Sequence, residues 1–148
     1  MELVTYMLKR ILYFSYLFLL VYFVWLLPGE AKPYVKINFI PLETIQLYLT
    51  ALIHDYAPVY VIIGNLIGNI VLFIPIGILL FHHLRHLGII VIIFFSLYIP
   101  VYIEVVQYML HLAGYGTRSI DVDDVLLNML GIWIGYLAAT IVKATRSK

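Results

Sequence analysis

The stretch Thr117–Gly135, TRSIDVDDVLLNMLGIWIG, decides the fold. It sets Arg118, Asp121, Asp123, Asp124 and Asn128 at the mouth of an otherwise apolar helix. At 100° per residue, Asp121, Asp124, Asn128, Gly131 and Gly135 fall on one narrow stripe. The polar end of that stripe can face a site, and its glycine end lets a neighbouring helix come close. The rest of the chain has to supply the partners of this stripe.

Composition sets the solvent. Of 148 residues, 64% are hydrophobic and 11% charged, and the mean hydropathy is +1.04. An average soluble domain is about 45–50% apolar and about 25% charged. The reading is an all-α integral membrane protein forming a single domain over residues 1–148. No basic stripe suits nucleic acid. The absence of cysteine excludes disulfides, thiol catalysis and thiolate metal sites.

A helix needs about 20 apolar residues to cross the hydrocarbon. Four stretches qualify: about 11–27, 59–81, 87–110 and 125–142. The last is short and implies little tilt or local thinning. The first follows Lys9 and Arg10 as a signal peptide would, but ends in Trp25, Leu26, Leu27 and Pro28 without a small-residue cleavage pattern. It reads as a retained helix.

Lys and Arg placement orients the bundle. Lys9 and Arg10 precede helix one, Arg85 lies between helices two and three, and Lys143, Arg146 and Lys148 follow helix four. Both termini are therefore expected in the cytoplasm. The segments Pro28–Pro58 and His111–Val122 fall outside. Within the first, Pro41 suits an initial helical position and Glu43 the first turn. Leu42, Ile45, Leu49, Leu52 and Ile53 recur at helical spacing, which predicts an extracytoplasmic interfacial amphipathic helix over Pro41–Asp55.

Polar residues interrupt two spans. Helix two carries GNLIGNIVLFIPIG, Gly64–Gly77. Gly64 and Gly68 form a small-xxx-small pair that favours close helix approach. Asn65 and Asn69, four apart, point the same way. In helix three, Glu104, Gln107, Tyr108 and His111 share one face. An intramembrane carboxylate costs about 2.5–3.5 kcal/mol on insertion scales and marks a functional site by default. The nearest cation in sequence on the same side is Arg118, so a Glu104–Arg118 pair is expected. Pro75 and Pro100 are expected to kink their helices, since each removes an N–H.

Three aspartates against one arginine exceed the needs of an ion pair. One or two of them, Asp121 or Asp123, can cap helix four at its positive end. Asp124 and Asn128 face inward with the glycines and rank higher as site residues. The carboxylates offer oxygen ligands to a hard cation, but no metal motif is present. His82, His83 and His86 beside Arg85 read as interfacial rather than as a metal site. No cofactor is expected.

These residues, taken in order, resemble the VanZ-like family. The resemblance rests on NFIPLETI at Asn38–Ile45, on the glycine–asparagine pattern at Gly64–Gly77, and on ExxQ at Glu104–Gln107. It ends with Arg118, Asp121, Asp123, Asp124, Asn128 and Gly131. The family is named for a protein that gives low-level resistance to teicoplanin. The resemblance implies a bacterial plasma-membrane protein linked to glycopeptide or cell-envelope stress. It implies no established reaction, and nothing in the chain resembles a nucleotide or CoA site.

Three roles stay open for the polar set. It can bind a membrane lipid headgroup, a lipid-linked cell-wall precursor or a lipoglycopeptide through Asn65, Asn69, Gln107, Arg118, Asp121 and Asn128. It can belong to an enzyme acting on a lipid-linked envelope substrate, with Glu104 as acid or base and Asp124 orienting it. It can also hold the bundle together as a structural partner of other membrane proteins.

Overall fold

The structure is a computed structural model and describes residues 2–26, 37–115 and 120–146. Arg118, and with it the expected Glu104–Arg118 pair, lies outside the described residues, as do Lys32 and Lys36. Four helices are long and apolar enough to cross a membrane. Helix α1 covers Glu2–Val21 and continues as a π-helical turn, Tyr22–Leu26. Helix α2 covers Glu43–Ile53, α3 Val59–Leu84, α4 Ile89–Leu112 and α5 Val122–Arg146. A 3₁₀ turn at Arg85–Leu87 joins α3 to α4. Two short strands, β1 at Ile37–Asn38 and β2 at Ile120–Asp121, pair in parallel with Ile37 opposite Ile120 and Asn38 opposite Asp121. Sequence periodicity carries no sign of this pairing.

The ends of the spans differ from expectation. Helix α1 starts well before Ile11 and runs through Lys9 and Arg10, because a helix does not stop where the hydrocarbon does. Helix α5 has 25 residues, about 37 Å at 1.5 Å per residue, so it is not a short span. Its start is set by Asp121, whose Oδ1 accepts the Asp123 N–H at 2.9 Å as an N-cap does. Helices α3 and α4 pass through Pro75 and Pro100 without a break. Close to Pro75, the Tyr16 hydroxyl donates to the Leu72 carbonyl at 3.0 Å and fastens α1 to α3.

Helix α2 begins at Glu43 rather than Pro41. Leu42 takes the N-cap position in the left-handed region, φ 70°. Thr44, Ile45, Tyr48 and Ala51 turn towards the bundle and are half-buried. Leu42, Leu47, Leu49, Leu52 and Ile53 stay exposed. That outward apolar surface is the property of a helix lying along a membrane interface.

The tightest pair is α3 with α5, and glycine makes it possible. A Cβ at Gly131 would collide with the Ile70 carbonyl, one at Gly135 with the Ile74 carbonyl, and one at Gly77 with the Ile132 carbonyl. The glycine end of the α5 stripe thus meets its neighbour backbone to backbone. The expected role of Gly64 and Gly68 is corrected. Neither has an atom within 4 Å of an added Cβ, so the close approach belongs to Gly77 instead. Around this seam, Val24, Phe73, Ile76, Leu80, Ile92, Ile103 and Ile132 form the buried core.

Alanine scanning tests this division. Gly131→Ala, Gly135→Ala and Gly77→Ala each push a methyl into a backbone carbonyl that cannot rotate away. Each is expected to cost about 1–3 kcal/mol, the range for overpacking. Gly64→Ala and Gly68→Ala are expected to leave the apparent Tm in detergent close to wild type. Equal losses at all five positions would contradict the packing described.

Candidate functional site

Three layers of polar contact build the site, beginning at the start of α5. Asp123 is fully buried. Its Oδ1 accepts the Leu42 N–H at 2.6 Å, and its Oδ2 accepts those of Thr44 at 2.8 Å and Ile45 at 3.1 Å. A helix start leaves backbone donors without intrahelical partners, and Leu42 has no side-chain acceptor to offer them. The carboxylate of α5 therefore caps α2, across 81 positions of sequence. The same clamp holds Leu42 in its left-handed conformation, which costs a non-glycine residue about 1–3 kcal/mol.

The second layer is Asp121. Its Oδ1 also accepts from Asn38 Nδ2 at 3.0 Å, and its Oδ2 accepts the Thr44 hydroxyl at 2.5 Å. Asn38 Nδ2 reaches Thr44 Oγ1 at 3.1 Å, while its Oδ1 receives the Ile40 N–H at 2.9 Å. The Asp121 N–H donates to Glu104 Oε2 at 3.2 Å. Through this bond the β2–α5 junction is tied to α4.

Beyond this layer lies a cavity of about 490 Å³ among α1, α3, α4 and α5. Asn65, Asn69, Glu104, Gln107, Asp124 and Asn128 line it, together with Gly64, Gly68 and an apolar wall that includes Phe23, Tyr60, Leu72 and Ile103. The open space beside Gly64 and Gly68 is part of this volume. Asn69 Nδ2 donates to Asp124 Oδ1 at 2.5 Å and bridges α3 to α5. Gln107 Nε2 donates to the Val24 carbonyl at 2.9 Å. That carbonyl lies in the π-helical end of α1, where intrahelical acceptors run out. Asn65 Nδ2 turns back to its own helix, to the Val61 carbonyl at 2.8 Å. Asn128 is 3% exposed and its Oδ1 has no partner among the described residues.

A second pocket of about 310 Å³ lies on the other side of Glu104. Phe39, Val101, Val105, Tyr108, Ile120 and Val125 make most of its wall, and Glu104 lines both spaces.

Six of the eight candidate site residues thus share one cavity: Asn65, Asn69, Glu104, Gln107, Asp124 and Asn128. Asp121 does not line it. It sits behind, in the network that holds the β2–α5 junction and Glu104. Arg118 is the eighth and lies outside the described residues. Sequence reading passed over Asn38 and Thr44, and gave Asp123 to its own helix. A signal existed: α2 opens with Pro-Leu-Glu-Thr, with no acceptor side chain at its N-cap, while α5 opens with more aspartates than it needs. Among the described residues, no cluster of three histidine, aspartate or glutamate side chains is arranged to hold a metal ion.

The family model VanZ/LLP1 matches residues 11–143. The chain belongs to the VanZ/LLP1 family. The match spans nearly all of it, from within α1 to near the end of α5, and so takes in the cavity and the clamp beneath it. No curated protein and no solved structure matches the chain.

The Asp123 clamp gives a direct test. Asp123→Ala leaves three backbone donors and the strained Leu42 unsupported. It is expected to lower the apparent Tm by on the order of 10 °C, since breaking a buried charged network costs about 3–5 kcal/mol. Leu42→Gly removes the left-handed strain and is expected to match or exceed wild type. Leu42→Val is expected to fall below it, because a branched Cβ tolerates positive φ least. Thermal unfolding of the purified variants reads all three.

Proposed function

We propose that this VanZ-family membrane protein holds the polar headgroup of a lipid or lipid-linked envelope molecule. The cavity among α1, α3, α4 and α5 receives it. The observation that carries the reading is the character of that cavity. Six polar side chains converge in a space of about 490 Å³ whose remaining wall is apolar. Most small-molecule sites have this make-up, an apolar pocket with a few fixed polar groups. A polar group inside a bilayer needs a partner, and a headgroup with its chains attached supplies both halves of the match.

The Lys and Arg distribution supports an outward-facing cavity. Lys143 and Arg146 end α5, and Arg85 lies in the α3–α4 turn. The acidic and amide residues gather towards the opposite end of the helices. A lipid of the outer leaflet of a bacterial plasma membrane, or a lipid-linked wall precursor, reaches such a cavity without crossing the bilayer. A glycopeptide carrying a lipid tail reaches it by the same path. The family resemblance to a teicoplanin-resistance protein fits a role in which this binding changes drug access to the envelope.

Retained lipid is the test. Protein purified in mild detergent is expected to carry one headgroup class enriched over the bulk membrane, read by native mass spectrometry. Gly68→Leu fills open space without touching the α3–α5 seam. It is expected to fold and to lose that lipid. Unchanged retention in the folded variant would remove the cavity from the reading. Expressed in a susceptible Gram-positive host, wild-type protein is expected to raise tolerance to teicoplanin more than to vancomycin, and Gly68→Leu to raise neither.

Orientation has its own measurement. The chain contains no cysteine, so single-cysteine variants report one position each. Tyr56→Cys and Tyr115→Cys are expected to react with an impermeant thiol reagent in intact cells, and His86→Cys only after permeabilisation. The reverse pattern would turn the cavity inward.

A further inference from the structure

The cavity among α1, α3, α4 and α5 is open on one side, and the exposure of its lining shows which. The residues it takes from α4 and α5, Ile103, Glu104, Gln107, Asp124 and Asn128, are buried or half-buried. The exposed part of the lining is Phe23, Tyr60, Val61, Gly64, Asn65 and Val71. Phe23 lies in the π-helical end of α1, and the other five run along α3. The opening is therefore a slit along the α1–α3 boundary, where backbone contact between the two helices is sparse. Gly64 and Gly68 widen it, since an added Cβ at either meets no atom within 4 Å. Beside Val71, the Tyr16 hydroxyl on the Leu72 carbonyl ties α1 to α3 and marks the far end of the slit. Tyr60 and Val71 lie about 16 Å apart along the helix at 1.5 Å per residue, close to half of a hydrocarbon core of about 30 Å. The slit is one leaflet deep.

We propose that this slit is a lateral port. The amphiphile enters the cavity through it from the bilayer, and a hydrocarbon chain stays in the slit while the headgroup is held inside. The inference rests on the headgroup reading above and adds the path of the chain. A headgroup inside the bundle with its chain attached needs a way for that chain to reach hydrocarbon, because moving CH₂ groups into water is unfavourable. The α4 and α5 side of the cavity offers none. The slit does, between the Phe23 ring and the Val61 and Val71 side chains. Asn65, the amide among the exposed lining, turns back to the Val61 carbonyl. A chain that moves from bilayer to slit gains packing rather than hydrophobic burial. It meets the backbone that Gly64 and Gly68 uncover, atoms that an empty gap would leave without partners. The second pocket, walled by Phe39, Val101, Val105 and Tyr108, is the competing place for a chain. Buried Glu104 separates it from the cavity.

The experiment uses the full chain in nanodiscs of phosphatidylglycerol and phosphatidylethanolamine, each lipid with a diazirine at the middle of one acyl chain. Extraction into mild detergent strips loosely held lipid, and native mass spectrometry counts what is retained. Irradiation then fixes the retained lipid where its chain lies, and peptide mass spectrometry locates the adducts. They are expected on Phe23 and within residues 60–72 of α3, with few on Phe14 and Phe18, which are also exposed.

Val71→Trp lays a large ring across the slit from the lipid side and leaves the α4 and α5 wall in place. It is expected to keep the apparent Tm in detergent and to lose most of the retained lipid. Val101→Trp crowds the second pocket and is expected to change neither the retained lipid nor the adducts. Adducts on Val101, Val105 and Tyr108, with lipid lost from Val101→Trp, would overturn the port and leave the headgroup reading standing. Adducts spread evenly over the exposed helix faces would do the same, as would undiminished retention in folded Val71→Trp. A lipid-free dimer that Val71→Trp splits would overturn the port by giving the slit to a second copy of the chain. Absence of any retained lipid would overturn this inference together with the headgroup reading.

Discussion

A single buried carboxylate carries the architecture. Asp123 has no exposed surface, and a charge so placed is costly unless it is hydrogen-bonded. The first turn of α2 has the complementary problem, since its backbone donors lack acceptors of their own. Each solves the other. Once Asp123 has taken the N–H groups of Leu42, Thr44 and Ile45, the preceding segment lies along the start of α5. Asn38 and Thr44 then come within reach of Asp121. The strand pair at Ile37–Asn38 and Ile120–Asp121 is a consequence of that clamp. Two residues of parallel pairing would not persist alone.

From this base the order passes to the cavity. The backbone of Asp121 holds Glu104 through Oε2, so a carboxylate lining the cavity is oriented by a junction that does not line it. Asp124, the next residue after the clamp, turns to α3 and takes the Asn69 amide. The three aspartates at the α5 start thus have three destinations. Asp121 caps its own helix, Asp123 caps another helix, and Asp124 faces the open space.

Glycine does opposite things along one helix. At the Gly77 end of α3, small residues on both helices bring backbones together and close the core. At the Gly64 and Gly68 end the missing side chains leave volume, and polar groups from α4 and α5 line it. A helix pair sealed at one end and open at the other produces a pocket that is fixed in place without being filled. Binding to a preformed site avoids the entropic cost of ordering it, which is what such a pocket offers to the headgroup binding proposed above.

The sequence by itself determined the solvent, the number of spans, the interfacial helix and the inward stripe of α5. All of these follow from hydrocarbon thickness and the helical period, which act over a few turns. It also brought forward the amide and carboxyl side chains of the cavity wall, because polar residues inside apolar spans stand out individually. Only the tertiary structure decided which glycines pack and which leave space. It alone decided that Asp123 serves α2, and that Gln107 answers a carbonyl of α1. The Gly64–Gly68 and Gly131–Gly135 pairs have the same spacing and differ only in what lies opposite. The partners of Asp123 and Gln107 lie 81 and 83 residues away. No local pattern encodes a pairing at that distance; it emerges when buried donors and acceptors must all be satisfied at once.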